Sequence, residues 1–448
     1  MNRRILRLAL PNILSNLSVP LLGMVDTALM GRQDSPAYLG AVALGSLVFN
    51  FLYWGMGFLR MGTTGLTAQA YGQKDGRSQL RLLLQALLVA GLAGTLFVVL
   101  QVPIERLSFW LIPGEAEVIT LAREYVYVRI WAAPATIGLY VFHGWFLGMQ
   151  NARIPLMLAV VGNALNVGLN LYFVNELGMK ADGVALATVM AQYATLLLAM
   201  GSWWVRYRTL LQHWAKLELF EAASLRRFFA VNGDIFLRTI ALIFAFSFFT
   251  ASSSGIDPLV LAANQILLQY LHLMAFGVDG FAFAAESLVG RMVGAKDARG
   301  LRRVIKLLFR WGMGLGLLFS LGYLLAGEWL LGLFTDQAAI LAVARGYLGW
   351  MVILPLCGAY AYLWDGIYFG ATATRPMRNA MLLVTGLVYL PLALAADWWG
   401  NHALWLAMTL FMLARGLALH ALAGRQVYRP IERLDPTGDD VNLVTREK

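Results

Sequence analysis

The sequence predicts an all-α polytopic membrane protein of about twelve transmembrane helices in two parallel six-helix lobes. Three observations predict it. The first is composition: of 448 residues, 59% are hydrophobic and only 13% charged, with a mean hydropathy of +0.65. A soluble domain carries about a quarter charged residues, and a water-soluble chain of this length could not cover so much apolar surface. The second is that the apolar runs are long and continuous rather than alternating, which excludes a transmembrane barrel. The third is that residues 222 positions apart resemble one another (294 − 72, for example).

Taken in order, the apolar segments fall near 5–30, 38–71, 80–101, 118–149, 154–176, 183–206, 227–252, 258–294, 303–325, 337–370, 377–397 and 401–423. Each is long enough for a crossing of about 20 residues. The first contains Pro11 and Asp26 and lacks a small-residue cleavage site, so it reads as a retained span rather than a signal. The connecting loops alternate in charge. One set carries Arg3, Arg4 and Arg7, then Lys74, Arg77 and Arg81, then Arg206, Arg208 and Arg226, then Lys296, Arg299, Arg302 and Arg303, and finally Arg425, Arg429 and Arg433. The other set is poor in bases and holds Asp34, Glu105, Glu115, Glu117, Asp257, Glu328 and Asp336. Bases concentrate on the cytoplasmic side, so both termini are expected there, in agreement with an even number of spans.

Tyr71-Gly72-Gln-Lys-Asp75 resembles Val293-Gly294-Ala-Lys-Asp297. Ala122-Arg123-Glu-Tyr125 resembles Ala344-Arg345-Gly-Tyr347, and Gly148 with Arg153 matches Gly370 with Arg375, all at the one offset. Six spans per half return the chain to its starting side, which makes the repeat parallel. The expected organisation is therefore an N-terminal lobe over 1–206, a basic cytoplasmic linker over 207–226, a C-terminal lobe over 227–427 and a polar cytoplasmic tail over 428–448.

Asp26 is the most informative residue. It is the one charge in its span after Arg7, and an ionisable group at such a depth ordinarily faces a cavity and serves function. Burial favours its neutral form, so it can hold a proton, release it, and attract a cation when charged. It reads as the ion-coupling group of a transporter; the plainer reading is a structural pair or an outward-snorkelling group. Pro11 and Pro20 can loosen the same span and give it a hinge.

Asn163, Asn166 and Asn170 share one face of span 5 by their i, i+3, i+7 spacing. They read either as a substrate or proton site or as interhelical glue. In span 8, Gln265, His272, Asp279 and Glu286 recur every seven residues with Gln269 beside them, a polar stripe that is expected to face a cavity or the other half. Arg60 interrupts span 2 and has Ala282 as its counterpart, between Asp279 and Glu286, so a pairing of Arg60 with one of these acids is expected if spans 2 and 8 face each other; the alternative is snorkelling. Asp234 with Arg238 reads as a self-neutralised i, i+4 pair. Asp365 and Arg129 are further intramembrane candidates.

The net charge of +10 is explained by topology, so no nucleic-acid partner is expected. A single Cys357 forms no intrachain disulfide, and five scattered His show no metal-ligand spacing. No phosphate loop is present, which leaves an ion gradient as the simplest source of energy for transport. No cofactor and no metal are expected.

Leu8-Ala-Leu-Pro11-Asn-Ile-Leu-Ser-Asn16, Val19-Pro-Leu-Leu-Gly-Met-Val-Asp26-Thr and Phe58-Leu-Arg60-Met-Gly-Thr-Thr-Gly-Leu-Thr-Ala-Gln-Ala-Tyr-Gly72 resemble the multidrug and toxic compound extrusion (MATE) family, most of all its DinF-like branch. Asp279-Gly280, Asp365-Gly366 with Gly370-Ala371, and Gly400-Asn-His-Ala-Leu-Trp-Leu-Ala407 add to the match. The resemblance implies twelve helices in two lobes, a bacterial inner-membrane location, and export of cationic or amphipathic drug-like compounds against H⁺ or Na⁺. It places the span 1 carboxylate on Asp26 and the N-terminal polar set on Tyr125, Asn166, position 170 and Thr188. Position 170 is Asn where relatives often carry Asp, which favours H⁺ over Na⁺ with Asp26 as the main titrating group. A monomer among membrane lipids is expected. The alternatives are a flippase for lipid-linked precursors, at which Arg60 and Arg129 hint, and a membrane enzyme, for which no catalytic cluster is present.

Overall fold

The structure, a computed structural model, describes residues 1–31, 33–112 and 114–434, with the backbone alone at Val19, Pro20, Leu21, Leu22, Met24, Asp26, Lys216 and Asp397. The expectations that rest on the side chains of Pro20 and Asp26, and on the tail beyond 434, therefore lie outside the described residues.

The described chain is built from long helices: α1 (Asn2–Met30), α2 (Pro36–Gly72), α3 (Gly76–Val99), α4 (Ala116–Gly148), α5 (Arg153–Glu176), α6 (Ala181–Tyr207), α7 (Ala222–Ile256), α8 (Pro258–Gly294), α9 (Ala298–Leu331), α10 (Leu348–Ala371), α11 (Thr374–Leu394) and α12 (Asn401–Ala423). Among the described residues eleven helices are long and apolar enough to cross a membrane; α1 is a further helix of 29 residues. Helix is what such a chain must form, because hydrocarbon supplies no partner for a bare backbone N–H or C=O.

Three expected spans differ in detail. The run at 337–370 is broken into Ala338–Arg345 and Leu348–Ala371, and Gly346, whose lack of a side chain weakens a helix interior, stands at the break. α4 tightens to a 3₁₀ turn at Ile130–Ala132, just before Pro134, which has no N–H to continue the ladder. α7 begins at Ala222, five residues ahead of the expected start at 227.

The backbone repeats itself at the offset seen in the sequence. Six described residues have a positive φ, and they form three pairs 222 apart: Lys74 with Lys296, Gln150 with Thr372, and Gly178 with Gly400. Helix crossings repeat as well. A Cβ on Gly144 would lie 2.3 Å from the Arg60 carbonyl oxygen, and one on Gly366 would lie 2.4 Å from that of Ala282. Both α2·α4 and α8·α10 thus pack backbone against backbone through a glycine, the small-residue contact by which helices associate when water gives no driving force.

By proximity the chain divides into two compact units, one of Leu6–Thr67 and Gly76–Ile240, the other of Met1–Ile5, Ala68–Asp75 and Ala241–Lys448. The first has a core around Phe49, Tyr125, Val126 and Ile130. The stretch after α6 docks on α3 in this unit: Gln85 donates to the Leu219 carbonyl at 2.8 Å, and Arg81 pairs with Glu221. The second has a core around Phe249, Trp405, Tyr389 and Phe411, with Trp405 edge-on to Phe249 at 4.8 Å.

Candidate functional site

α1 runs unbroken through Pro11 and Pro20. Pro11 removes one helical donor, and the following Asn12 is turned onto its own helix, its Nδ2 donating to the Leu8 carbonyl at 2.8 Å. Asp26 lies four residues from the C-terminal end of this helix. Eight residues before it, Ser18 faces α5: Asn163 Nδ2 donates to Ser18 Oγ at 3.0 Å and to the Ser18 carbonyl at 3.2 Å.

The rest of the asparagine face of α5 meets α6. Asn166 Nδ2 donates to Thr188 Oγ1 at 3.1 Å, Thr188 donates to the Val184 carbonyl at 3.0 Å, and Asn170 Nδ2 donates to Asn166 Oδ1 at 2.9 Å. Asn166, Asn170 and Thr188 are 3%, 0% and 8% exposed. The structure therefore brings together three of the expected residues in one buried chain of hydrogen bonds, and attaches the fourth, Asn163, to the helix that carries Asp26. Immediately after Asn170 the helix widens to a π turn at Tyr172–Glu176. Amides suit a buried chain of this kind because each both donates and accepts.

Tyr125 belongs to a second cluster. Buried in α4, its hydroxyl lies 3.2 Å from Ser46 Oγ of α2 and accepts from Arg129 Nη1. Arg129 also donates to Ser46 at 3.0 Å and sits 4.9 Å from the Phe49 ring centroid. The polar set implied by the family resemblance thus falls into two clusters, Tyr125 with Ser46 and Arg129, and Asn166 with Asn170 and Thr188.

The heptad stripe of α8 is graded along its length. Gln265 and Gln269 are exposed, His272 and Asp279 half-buried, and Glu286 buried at 1%. His272 stacks on Phe246, with centroids 6.3 Å apart, in keeping with an interior packing role. Arg60 is half-buried in α2, its carbonyl accepting from Thr64 Oγ1 at 2.8 Å. Asp234 and Arg238 are both buried, at 6% and 4%.

Asp365 has a partner that reasoning from the sequence missed. Arg415 of α12 lies 3.5 Å from its carboxylate, and both side chains are almost wholly enclosed. The signal was available: Arg415 is the one charged residue in the apolar run from Asn401 to Gly424. Also missed was a buried knot in which Asn264 Nδ2 donates to Ser253 and Asn401, while Asn401 Nδ2 and Trp405 Nε1 each donate back to Asn264 Oδ1 at 2.9 Å.

Eleven described helices long and apolar enough to cross a membrane, with buried amide and ion-pair networks among their residues, define the class, a polytopic membrane protein. The comparisons with known proteins give the particular family. The MatE family model matches residues 11–172 and 235–395, once in each half of the repeat. DNA damage-inducible protein F of Escherichia coli strain K12 is 43% identical over 419 residues, covering 93% of this chain and 90% of that protein. A transporter of the MOP superfamily from Pyrococcus furiosus shares the fold with a TM-score of 0.84 at 17% identity, over 95% of each chain. So does the Vibrio cholerae MATE transporter VcmN in its bent form, at 0.82 and 19% over 97% of each. The chain belongs to the MATE family of multidrug and toxic-compound transporters, which are ion-coupled antiporters of drug-like substrates and not enzymes.

Proposed function

We propose that this protein is an H⁺-coupled exporter of small amphipathic or cationic compounds, working by alternating access with Asp26 as the group that proton and substrate compete for. The observation that carries the reading is the Asn163–Ser18 contact, which ties the asparagine face of α5 to the helix bearing Asp26. With Asn rather than Asp at position 170, this half carries one carboxylate fewer to coordinate a metal cation, which supports H⁺ over Na⁺. Facing the cytoplasm, the site takes up substrate. Facing outward, a proton neutralises Asp26, its contacts weaken and substrate leaves. Proton and substrate must favour different states for the gradient to drive export. Bending of α1 at Pro11 or Pro20 would change the room available.

In the same proposal the chain acts as a monomer in a bacterial inner membrane with both termini cytoplasmic, as two lobes, 1–206 and 227–427, joined by 207–226. The α8 residues Gln265, Gln269, His272, Asp279 and Glu286 line a polar path. The test is uptake by proteoliposomes under separately imposed pH and Na⁺ gradients. Exchange driven by the pH gradient alone is expected; exchange driven only by Na⁺ would overturn the coupling ion. A second reading, a flippase for lipid-linked precursors, is favoured by one observation, the Arg129 guanidinium with no carboxylate at ion-pair distance among the described residues.

A further inference from the structure

The stretch between α6 and α7 is not a loose tether. Its first part, Arg208–Lys216, is a 3₁₀ helix, in which residues three apart eclipse one another. Leu210 and His213 form one such row. Both lie against Gly76 at the start of α3, where a Cβ would stand 2.6 Å from His213 Nε2 and 3.3 Å from Leu210 Cδ2. The other two rows carry Arg208, Gln212 and Trp214, all exposed, Trp214 at 59%. The second part is held to α3 by its backbone and its acids. Gln85 donates to the Leu219 carbonyl at 2.8 Å, and Ser224 donates to Gln85 Oε1 at 3.1 Å. Glu218 lies 3.4 Å from Arg77, and Glu221 pairs with Arg81. Phe220, between Leu219 and Glu221, is 70% exposed.

The charges of this strap are therefore sorted. Glu218 and Glu221 are the two acids between Tyr207 and Arg226, and both are engaged by bases of α3. Arg208 and Arg226 are exposed, and no acid of the strap is left over to balance them. The depth of the strap follows from α3, a helix long and apolar enough to span. Arg77, Arg81 and Gln85 share one face of it by their i, i+4 spacing. The same face continues as Leu88, Leu92 and Leu96, exposed at 41%, 65% and 52%. A bare leucine row on a spanning helix meets hydrocarbon. The strap covers the row as far as Gln85, about 14 Å from Gly76 at 1.5 Å per residue, and ends where the leucines begin. It thus lies at the boundary between hydrocarbon and headgroups, the level at which exposed Trp rings are favoured.

We propose that residues 208–226 form an interfacial strap that binds anionic phospholipid headgroups, with Arg208 and Arg226 on the phosphates and Trp214 and Phe220 set among the glycerol and upper acyl groups. An amphipathic segment with bases and aromatic rings on its open side is held at a bilayer surface by apolar burial together with attraction to anionic lipid. A guanidinium meets a phosphate side-on through two parallel hydrogen bonds. The contacts with α3 already order the backbone, so lipid binding does not have to meet that cost. The inference goes beyond the exporter reading and does not depend on Asp26.

The test is energy transfer from a donor dye to labelled lipid, with the full-length protein in phosphatidylcholine nanodiscs and no gradient. The donor is placed on Ala215→Cys, an exposed position beside Trp214, with Cys357→Ser making the label unique. The acceptors are phosphatidylglycerol and phosphatidylcholine carrying the same acyl dye, each at the same low fraction. Transfer to phosphatidylglycerol is expected to exceed transfer to phosphatidylcholine several-fold, as for two bases at a charged surface. Arg208→Gln with Arg226→Gln should bring the ratio close to one, and Arg208→Lys with Arg226→Lys should retain it. Trp214→Ser with Phe220→Ser should lower transfer to both lipids alike, because the strap rises from the interface. Equal transfer to the two lipids before any of these changes would overturn the proposal and leave the outer side of the strap to water or a soluble partner. An enrichment that survives Arg208→Gln with Arg226→Gln would overturn it as well, and so would unchanged transfer in the Trp214→Ser, Phe220→Ser protein. Because nothing is transported in this assay, failure here leaves Asp26 coupling untouched, and failure of Asp26 coupling leaves the strap standing.

Discussion

Asp365 and Arg415 form an ion pair at 3.5 Å between α10 and α12, with 4% and 1% of their respective surfaces exposed. Removing one partner of a buried pair strands the other charge, at about 3–5 kcal/mol. Arg415→Gln is therefore expected to lower the thermal midpoint of the detergent-solubilised protein sharply, with Asp365→Asn in the same chain restoring most of the loss. Melting followed by size-exclusion chromatography reads both. An Arg415→Gln protein that melts like wild type would mean that the pair bears no such charge balance.

Gly144 and Gly366 occupy equivalent crossings, where an added Cβ would stand 2.3 and 2.4 Å from a backbone carbonyl oxygen. Neither helix can yield by moving a side chain alone. Gly144→Ala and Gly366→Ala are each expected to destabilise by about 1–3 kcal/mol, the range for overpacking. Gly168→Ala, which meets nothing within 4 Å, should be neutral or slightly stabilising in the same melting assay.

Asn166 accepts from Asn170 and donates to Thr188. Asn166→Ala leaves both neighbours short of a partner, and a buried polar group left unsatisfied costs about 1–3 kcal/mol. Transport by this variant should fall about tenfold with little change in expression. Asn170→Asp is the more informative change, because it adds a titratable group to a chain that has none. Its exchange rate is expected to acquire a second pH dependence in proteoliposomes, absent from wild type and from Asn170→Ala.

Asn163→Ala removes the two bonds to Ser18. If α1 is positioned by α5, exchange should slow several-fold, and Ser18→Ala should slow it less because the Ser18 carbonyl remains as an acceptor. The two variants compared in one pH-jump assay separate positioning of α1 from a local packing defect, which would affect both alike.

Much of the architecture was legible in the residues. The apolar runs gave the helices to within a few positions, and the offset of 222 recovered the repeat that the positive-φ pairs and the glycine crossings display. Periodicity told less at 337–370, where an apolar run stays apolar on both sides of the break at Gly346. Within the site, the structure joins Asn166 to Asn170 and turns Asn163 to α1, and spacing along one helix carries no information about such neighbours. Ser18, Thr188 and Ser46 are ordinary small hydroxyls in sequence and become specific only through the helices they meet. Arg415 was overlooked because its partner is fifty positions earlier on another helix.

Asp26→Asn is the most direct test of the central claim. The variant keeps the shape of the side chain and removes its titration, so folding and melting should persist while drug/H⁺ exchange in proteoliposomes under an imposed pH gradient is abolished. Exchange retained at the wild-type rate by a folded Asp26→Asn protein would contradict the account.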